Sequence, residues 1–93
     1  MHFVALCEDK PNGLSLRTEV RPVHLDYLKT VPIRIAGPFL AEDGETMVGT
    51  LYVIEADSLA EAQKIVDEDP FTKAGLFSSV TVRPWRWGIG KPA

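Results

Sequence analysis

Thr46-Met47-Val48-Gly49-Thr50-Leu51-Tyr52-Val53-Ile54-Glu55 is the stretch that decides the fold. In an extended chain, side chains alternate between faces, so Val48, Thr50, Tyr52 and Ile54 share one side and Met47, Gly49, Leu51 and Val53 the other. Both sides are apolar, which places this strand in the interior of a sheet with two faces to cover. Just upstream, Glu42-Asp43-Gly44 supplies the turn of a hairpin. Ile33-Arg34-Ile35-Ala36-Gly37-Pro38-Phe39 then reads as the partner, at a sheet edge, because Pro38 cannot donate to a central ladder.

Downstream, Ser58 and Glu61 form a capping box, in which a hydroxyl and a carboxylate satisfy free backbone donors of a first helical turn. Leu59, Ala62, Ile65 and Val66 make the buried stripe of that helix, which ends in Asp67-Glu68-Asp69 before Pro70. Phe71 to Leu76 reads as a short helical or turn connection through Gly75, and Ser78 to Trp87 as the last strand. There, Val80 and Val82 face one way and Thr81, Arg83 and Trp85 the other.

Upstream, His2 to about Glu8 lacks a polar face and suits a strand buried on both sides, ended by Pro11-Asn12-Gly13. From about Thr18 to Lys29, Val20, Val23, Tyr27 and Val31 recur at helical spacing, widened by Leu25 and Leu28. Pro22 is expected in the first turn, where its missing donor has no partner anyway. The order is β-α-β-β-α-β, the α+β ferredoxin-like arrangement: a four-stranded antiparallel sheet with two helices on one face.

That topology leaves one face of the sheet bare, although its central strands are apolar on both sides. At about 25 cal/mol per Å2, several hundred Å2 of exposed apolar surface is a strong drive to association. The expectation is a homodimer joined through the sheet face.

At 93 residues the chain buries only ~60–65% of its unfolded surface, so a single domain over residues 1–93 is expected. It is 45% hydrophobic and 25% charged, the balance of a globular protein. The net charge of −3 is scattered, with no basic stripe to engage a phosphate backbone, so nucleic acid is not an expected partner. No apolar run approaches the ~18 residues of a membrane helix. The apolar start, Met1 to Cys7, lacks a basic leader and soon meets Glu8, Asp9 and Lys10, unlike a signal peptide. Cys7 is the sole cysteine, so no internal disulfide forms and a cytoplasmic location is the expectation. Neither phosphate-binding glycine fingerprint nor zinc-finger spacing is present, and action without a cofactor is the simplest expectation.

Few residues carry a chemical signal. His24 lies near the boundary of the first helix's buried face, and an imidazole there can exchange protons at neutral pH or simply be a solvated helix residue. Asp69 before Pro70 is an ordinary helix terminator, or a carboxylate able to hold an imidazole's second N–H and fix its tautomer. Cys7 reads as a small core hydrophobe. Trp85 and Trp87 suit a pocket wall or core packing equally, and Glu42, Asp43 and Glu45 a solvated hairpin tip.

Arg21-Pro22-Val23-His24-Leu25-Asp26-Tyr27-Leu28, Gly37-Pro38, Gly44, Gly49, Asp69-Pro70-Phe71, Ala74-Gly75-Leu76-Phe77 and Pro84-Trp85, taken together in this order, resemble the YciI-like (YCII-related) family. The resemblance runs from the first strand to Trp85. It implies a dimeric α+β-barrel assembly and a catalytic dyad, with His24 matching the family's histidine and Asp69 its aspartate. Some members of that family are associated with dehydrochlorination or related steps of aromatic degradation, and many have no established activity.

Two functions follow as expectations. One is a cofactor-independent enzyme in which His24 moves a proton and Asp69 orients it, for elimination or isomerisation of a small oxygenated cyclic substrate. Its pocket would be walled by Phe71 and Trp85 and approached by the backbone of Gly37 and Pro38. The other is a non-catalytic module that binds a metabolite or docks as a dimer to a larger enzyme. A metal held by His24 and Asp69 is disfavoured, since two ligands do not close a site.

Overall fold

A computed structural model describes residues 1–92. Its strands are β1 (His2–Asp9), β2 (Ile33–Leu40), β3 (Met47–Glu55) and β4 (Phe77–Trp85), and its helices are α1 (Leu14–Leu28), α2 (Leu59–Asp67) and the four-residue α3 (Pro70–Lys73). The sheet order is β2-β3-β1-β4, antiparallel throughout, with β3 and β1 central and the Pro38 strand at an edge, as expected.

Register explains the two-faced pattern. Phe3, Ala5 and Cys7 of β1 stand opposite Ile54, Tyr52 and Thr50 of β3 and opposite Pro84, Val82 and Val80 of β4. Phe3, Ala5, Cys7, Tyr52 and Ile54 form the core with Ala62 and Val66 of α2. On the other face, Leu6, Ile35, Phe39 and Trp85 are 38–43% exposed, around a buried Val53. Gly49 sits where three strands crowd together. A Cβ there would collide with the Cys7 carbonyl oxygen and lie 3.1 Å from the Phe39 ring, so only glycine fits without a shift.

The hairpin turn carries its own lock. The Asp43 carboxylate accepts from the backbone N–H groups of Glu45 and Thr46 and from the Thr46 hydroxyl, and these bonds, the hydroxyl first, lower its pKa to about 2. Gly44 adopts φ +71°, which suits a residue without Cβ. In α2 the Ser58 hydroxyl accepts from the Glu61 N–H, as expected, while the Glu61 carboxylate reaches the N–H of Asp57 rather than that of Ser58.

The first helix departs from expectation. It begins at Leu14, four residues earlier than its apolar spacing suggests, and Pro22 lies in its interior rather than in its first turn. Pro22 and Thr18 are both exposed, so the helical bond that Pro22 cannot donate is lost on the solvent side of α1. Val23 is 58% exposed, and Leu25 is exposed as well; the buried residues of α1 are Arg17 and His24. Seven residues apart, these two share one face two turns from each other. The fully buried positions are polar, while Val20, Tyr27 and Leu28 are half-buried beside them, so a search for apolar periodicity finds the flank of the inward face and misses its centre.

Candidate active site

His24 enters the interior from α1, and Asp69 meets it from the junction of α2 and α3. Asp69 is the N-cap of α3, in an extended conformation forced by the following Pro70, and its Oδ1 accepts from the Phe71 N–H at 2.9 Å. Capping thus fixes the carboxylate before any contact with histidine is made. Both carboxylate oxygens lie 2.9 Å from Nδ1 of His24. The Tyr52 hydroxyl, from the centre of β3, donates to Oδ2. Asp69 is 1% exposed and His24 5%.

These contacts fix the tautomer of the neutral ring. A carboxylate with no proton of its own can only accept, so Nδ1 of His24 must be the N–H and Nε2 carries the lone pair. Burial, followed by the charge of Asp69, pushes the Tyr52 phenol far above its ordinary pKa, so Tyr52 remains a donor that anchors the carboxylate. The imidazole is also held from one side: Phe71 stacks on it at 3.9 Å between centroids with planes 16° apart.

Behind Phe71 stands Arg17, whose guanidinium carbon is 4.6 Å from the ring centroid. Arg17 is 2% exposed. It donates from Nε and Nη2 to the two oxygens of Asp9, at 2.7 and 2.9 Å, and from Nη2 to the Thr50 hydroxyl at 2.7 Å. Arg17, Phe71 and His24 therefore form a layered stack clamped by Asp9 at one end and Asp69 at the other.

The stack borders a cleft of about 90 Å3, lined by His24 together with Arg17, Arg21, Leu25, Leu28, Thr50 and the edge-strand residues Ala36, Gly37 and Pro38. This volume is well below the ~300 Å3 at which drug-sized pockets begin. It suits one edge of a compact molecule.

The expected dyad residues are thus together, and Gly37 and Pro38 are at the cleft. Two expectations need correction. Phe71 is fully buried and supports His24 from behind instead of walling the cleft. Trp85 is remote: it pairs with His2, stands on the opposite face of the sheet and borders a separate hollow with Met1, Pro84, Arg86, Trp87 and Lys91. Strand alternation, which separates Trp85 from Val80 and Val82, already carried that signal. Tyr52, Arg17, Asp9 and Thr50 went unrecognised as site residues. For Arg17 the signal was its i, i+7 spacing from His24, hidden by placing the helix start at Thr18. Cys7 is fully buried, and burial raises its thiol pKa to about 12, so it packs as a hydrophobe.

Residues 1–86 match the YCII-related domain. The chain belongs to the YCII-related family. A curated relative in this family, Protein YciI of Escherichia coli O6:H1, is 33% identical over 95 residues, covering 92% of this chain and 97% of its own. Among solved structures, the 5-chloro-2-hydroxyhydroquinone dehydrochlorinase TftG from Burkholderia phenoliruptrix, in complex with 2,5-dihydroxybenzoquinone, superposes with a TM-score of 0.85 at 36% identity. It covers 95% of this chain and 96% of the enzyme. An antibiotic biosynthesis monooxygenase superposes with a TM-score of 0.53 at 12% identity over 87% of this chain and 90% of that one, which shows the shared fold alone. The YCII-related chain thus has the architecture of the dimeric α+β-barrel proteins. No helix among its described residues is long and apolar enough to cross a membrane.

Proposed function

We propose that this chain is a cofactor-independent enzyme that eliminates a leaving group, chloride being the favoured one, from a small hydroxylated ring, with His24 as the base. The observation that carries this reading is the buried pairing of His24 Nδ1 with Asp69, which leaves Nε2 as the basic nitrogen of a residue lining the cleft. In the step, a hydroxyl proton moved to the chlorinated ring carbon first gives the keto tautomer. Nε2 then takes the proton of a second hydroxyl, its O–H electrons form a new C=O, the ring double bond shifts onto the chlorinated carbon, and chloride departs with the electrons of its own bond. Asp69 stabilises the imidazolium so formed, and Tyr52 and the Phe71 N–H keep the carboxylate in place. The likeness to a dehydrochlorinase at 36% identity supports this reaction class, and an isomerisation would use the same proton transfer.

The test is chloride release from 5-chloro-2-hydroxyhydroquinone by the purified protein and by His24→Gln. The expected result is turnover by the wild type and a loss on the order of 10²–10⁴-fold in the variant. Equal rates for the two proteins, or no turnover by the wild type on this compound and a panel of related hydroxylated rings and lactones, would sink the proposal. Ligand binding without turnover would point instead to a binding module.

The same reading includes a homodimer closed through the open face of the sheet, where Leu6, Ile35, Phe39 and Trp85 surround Val53. Sedimentation at micromolar concentration should give twice the 10.3 kDa chain mass. Leu6→Asp, which places a charge in the middle of that face, should shift the protein to the monomer mass. A monomeric wild type would contradict this part.

A further inference from the structure

The cleft's charge points to the form in which a substrate enters. Although the chain as a whole carries −3, none of the residues lining the cleft is a carboxylate, while two are arginines. Arg17, Arg21 and His24 follow one another at four and three residues along α1 and so share a face. Arg17 spends Nε and Nη2 on Asp9 and Thr50, and Nη1 has no hydrogen bond within the described residues. Yet no sealed side-chain nitrogen or oxygen among them lacks a partner. Nη1 must therefore keep contact with solvent, and the cleft is the space that this otherwise buried side chain lines. Arg21 lies at the exposed rim, with no carboxylate among the described residues within 4.0 Å.

Resting on the elimination reading above, we infer that the cleft takes its substrate as an anion, with an ionised ring oxygen seated between Nη1 of Arg17 and the guanidinium of Arg21. Arg17 is a rigid donor, fixed by Asp9, Thr50 and the Phe71 ring, so it loses little freedom on binding. Arg21 is the adjustable partner that closes on the oxygen from the mouth. With one oxygen held in this way, a second hydroxyl or a ring C–H is left to offer its proton to Nε2 of His24. The substrate class is thus a polyhydroxylated ring or enediol bound as its oxyanion, which the arginines favour over the un-ionised form. The arginines also favour the product side, since the electron density that builds on oxygen during elimination stays beside fixed positive charge.

Calorimetric titration tests this with 2,5-dihydroxybenzoquinone, ionised at neutral pH, and hydroquinone, which is not. Wild type should bind the ionised probe at least about tenfold more tightly, and binding should weaken as salt is raised. Arg21→Gln, a change at an exposed position, should weaken the ionised probe by roughly tenfold to a hundredfold, the loss of one charge-assisted hydrogen bond, and leave hydroquinone unaffected. Arg21→Lys should recover only part of it. No detectable binding of the ionised probe, equal affinity for the two probes, or an Arg21→Gln protein with unchanged affinity overturns the inference. His24→Gln separates it from the reaction proposed above. That variant should still prefer the anion, so lost anion preference with His24-dependent turnover defeats only the inference. Retained anion preference with turnover indifferent to His24 defeats only the reaction.

Discussion

Asp69→Asn is expected to lower turnover by roughly 10³–10⁴-fold, a larger loss than the small change in shape suggests, because it reverses the polarity of the imidazole. Each Asp69 oxygen is already committed: Oδ1 accepts from the Phe71 N–H and Oδ2 from the Tyr52 hydroxyl, and both face Nδ1 of His24. An asparagine must put its NH2 group at one of those two positions. Either way a donor points at Nδ1 beside the one remaining oxygen, so the charge that held the proton there is lost and the ring is freed to move its proton to Nε2. The lone pair then faces the introduced amide, and the cleft receives an N–H that cannot take a proton. One of the donors now served by the carboxylate also loses its acceptor in a dry site, which should cost about 1–3 kcal/mol in chemical denaturation. The signature is the combination, a folded protein with little activity. An Asp69→Asn protein that keeps more than a tenth of wild-type turnover would show that the carboxylate does not set the tautomer.

Arg17→Met should produce the largest loss of stability in the chain. Asp9 and Arg17 have side chains only 5% and 3% exposed, and their N–O contacts are short, at 2.7 and 2.9 Å. Removing the guanidinium strands a buried carboxylate and leaves the Thr50 hydroxyl without its donor. A cost of about 3–5 kcal/mol is expected, a large share of the roughly 5–15 kcal/mol that a small domain has. Arg17→Met combined with Asp9→Leu removes both charges and should recover most of it, because an apolar pair of similar volume avoids the desolvation that the ion pair must offset. Urea denaturation of the two single variants and the double gives the coupling directly. Additive losses would mean that Arg17 and Asp9 do not depend on each other. If the double variant is as stable as the wild type yet binds no anion, the pair is retained for the cleft and not for folding.

The contrast between α1 and the rest of the chain shows where sequence reasoning works. β3, β1 and the order of elements were legible because strand alternation and turn chemistry act locally: Thr50, Tyr52 and Ile54 share a face for reasons internal to ten residues. Ser58 and Asp43 were legible on the same ground. Asp69 reads as a helix terminator or an imidazole partner, while its role as the N-cap of α3 is not legible, because a four-residue helix has no periodicity of its own. The start and the deepest positions of α1 were missed because those positions are Arg17 and His24, and burial of those residues depends on Asp9, Thr50 and Asp69, which lie 8 to 45 residues away. No local pattern distinguishes a buried, paired arginine from a solvated one. Nor does any local pattern show that Tyr52, a good core residue on its own account, has its hydroxyl aimed at Asp69. Local rules broke at the site, which is where a sequence selected for chemistry is expected to violate them.

The most direct test of the central claim is the ¹⁵N NMR signature of the His24 ring in the resting, unprotonated protein. Directed by Asp69, the proton should reside on Nδ1, with the pyrrole-type shift there and the pyridine-type shift at Nε2. A ring carrying its proton on Nε2, with Nδ1 bare toward the carboxylate, would contradict the assignment of His24 as the base.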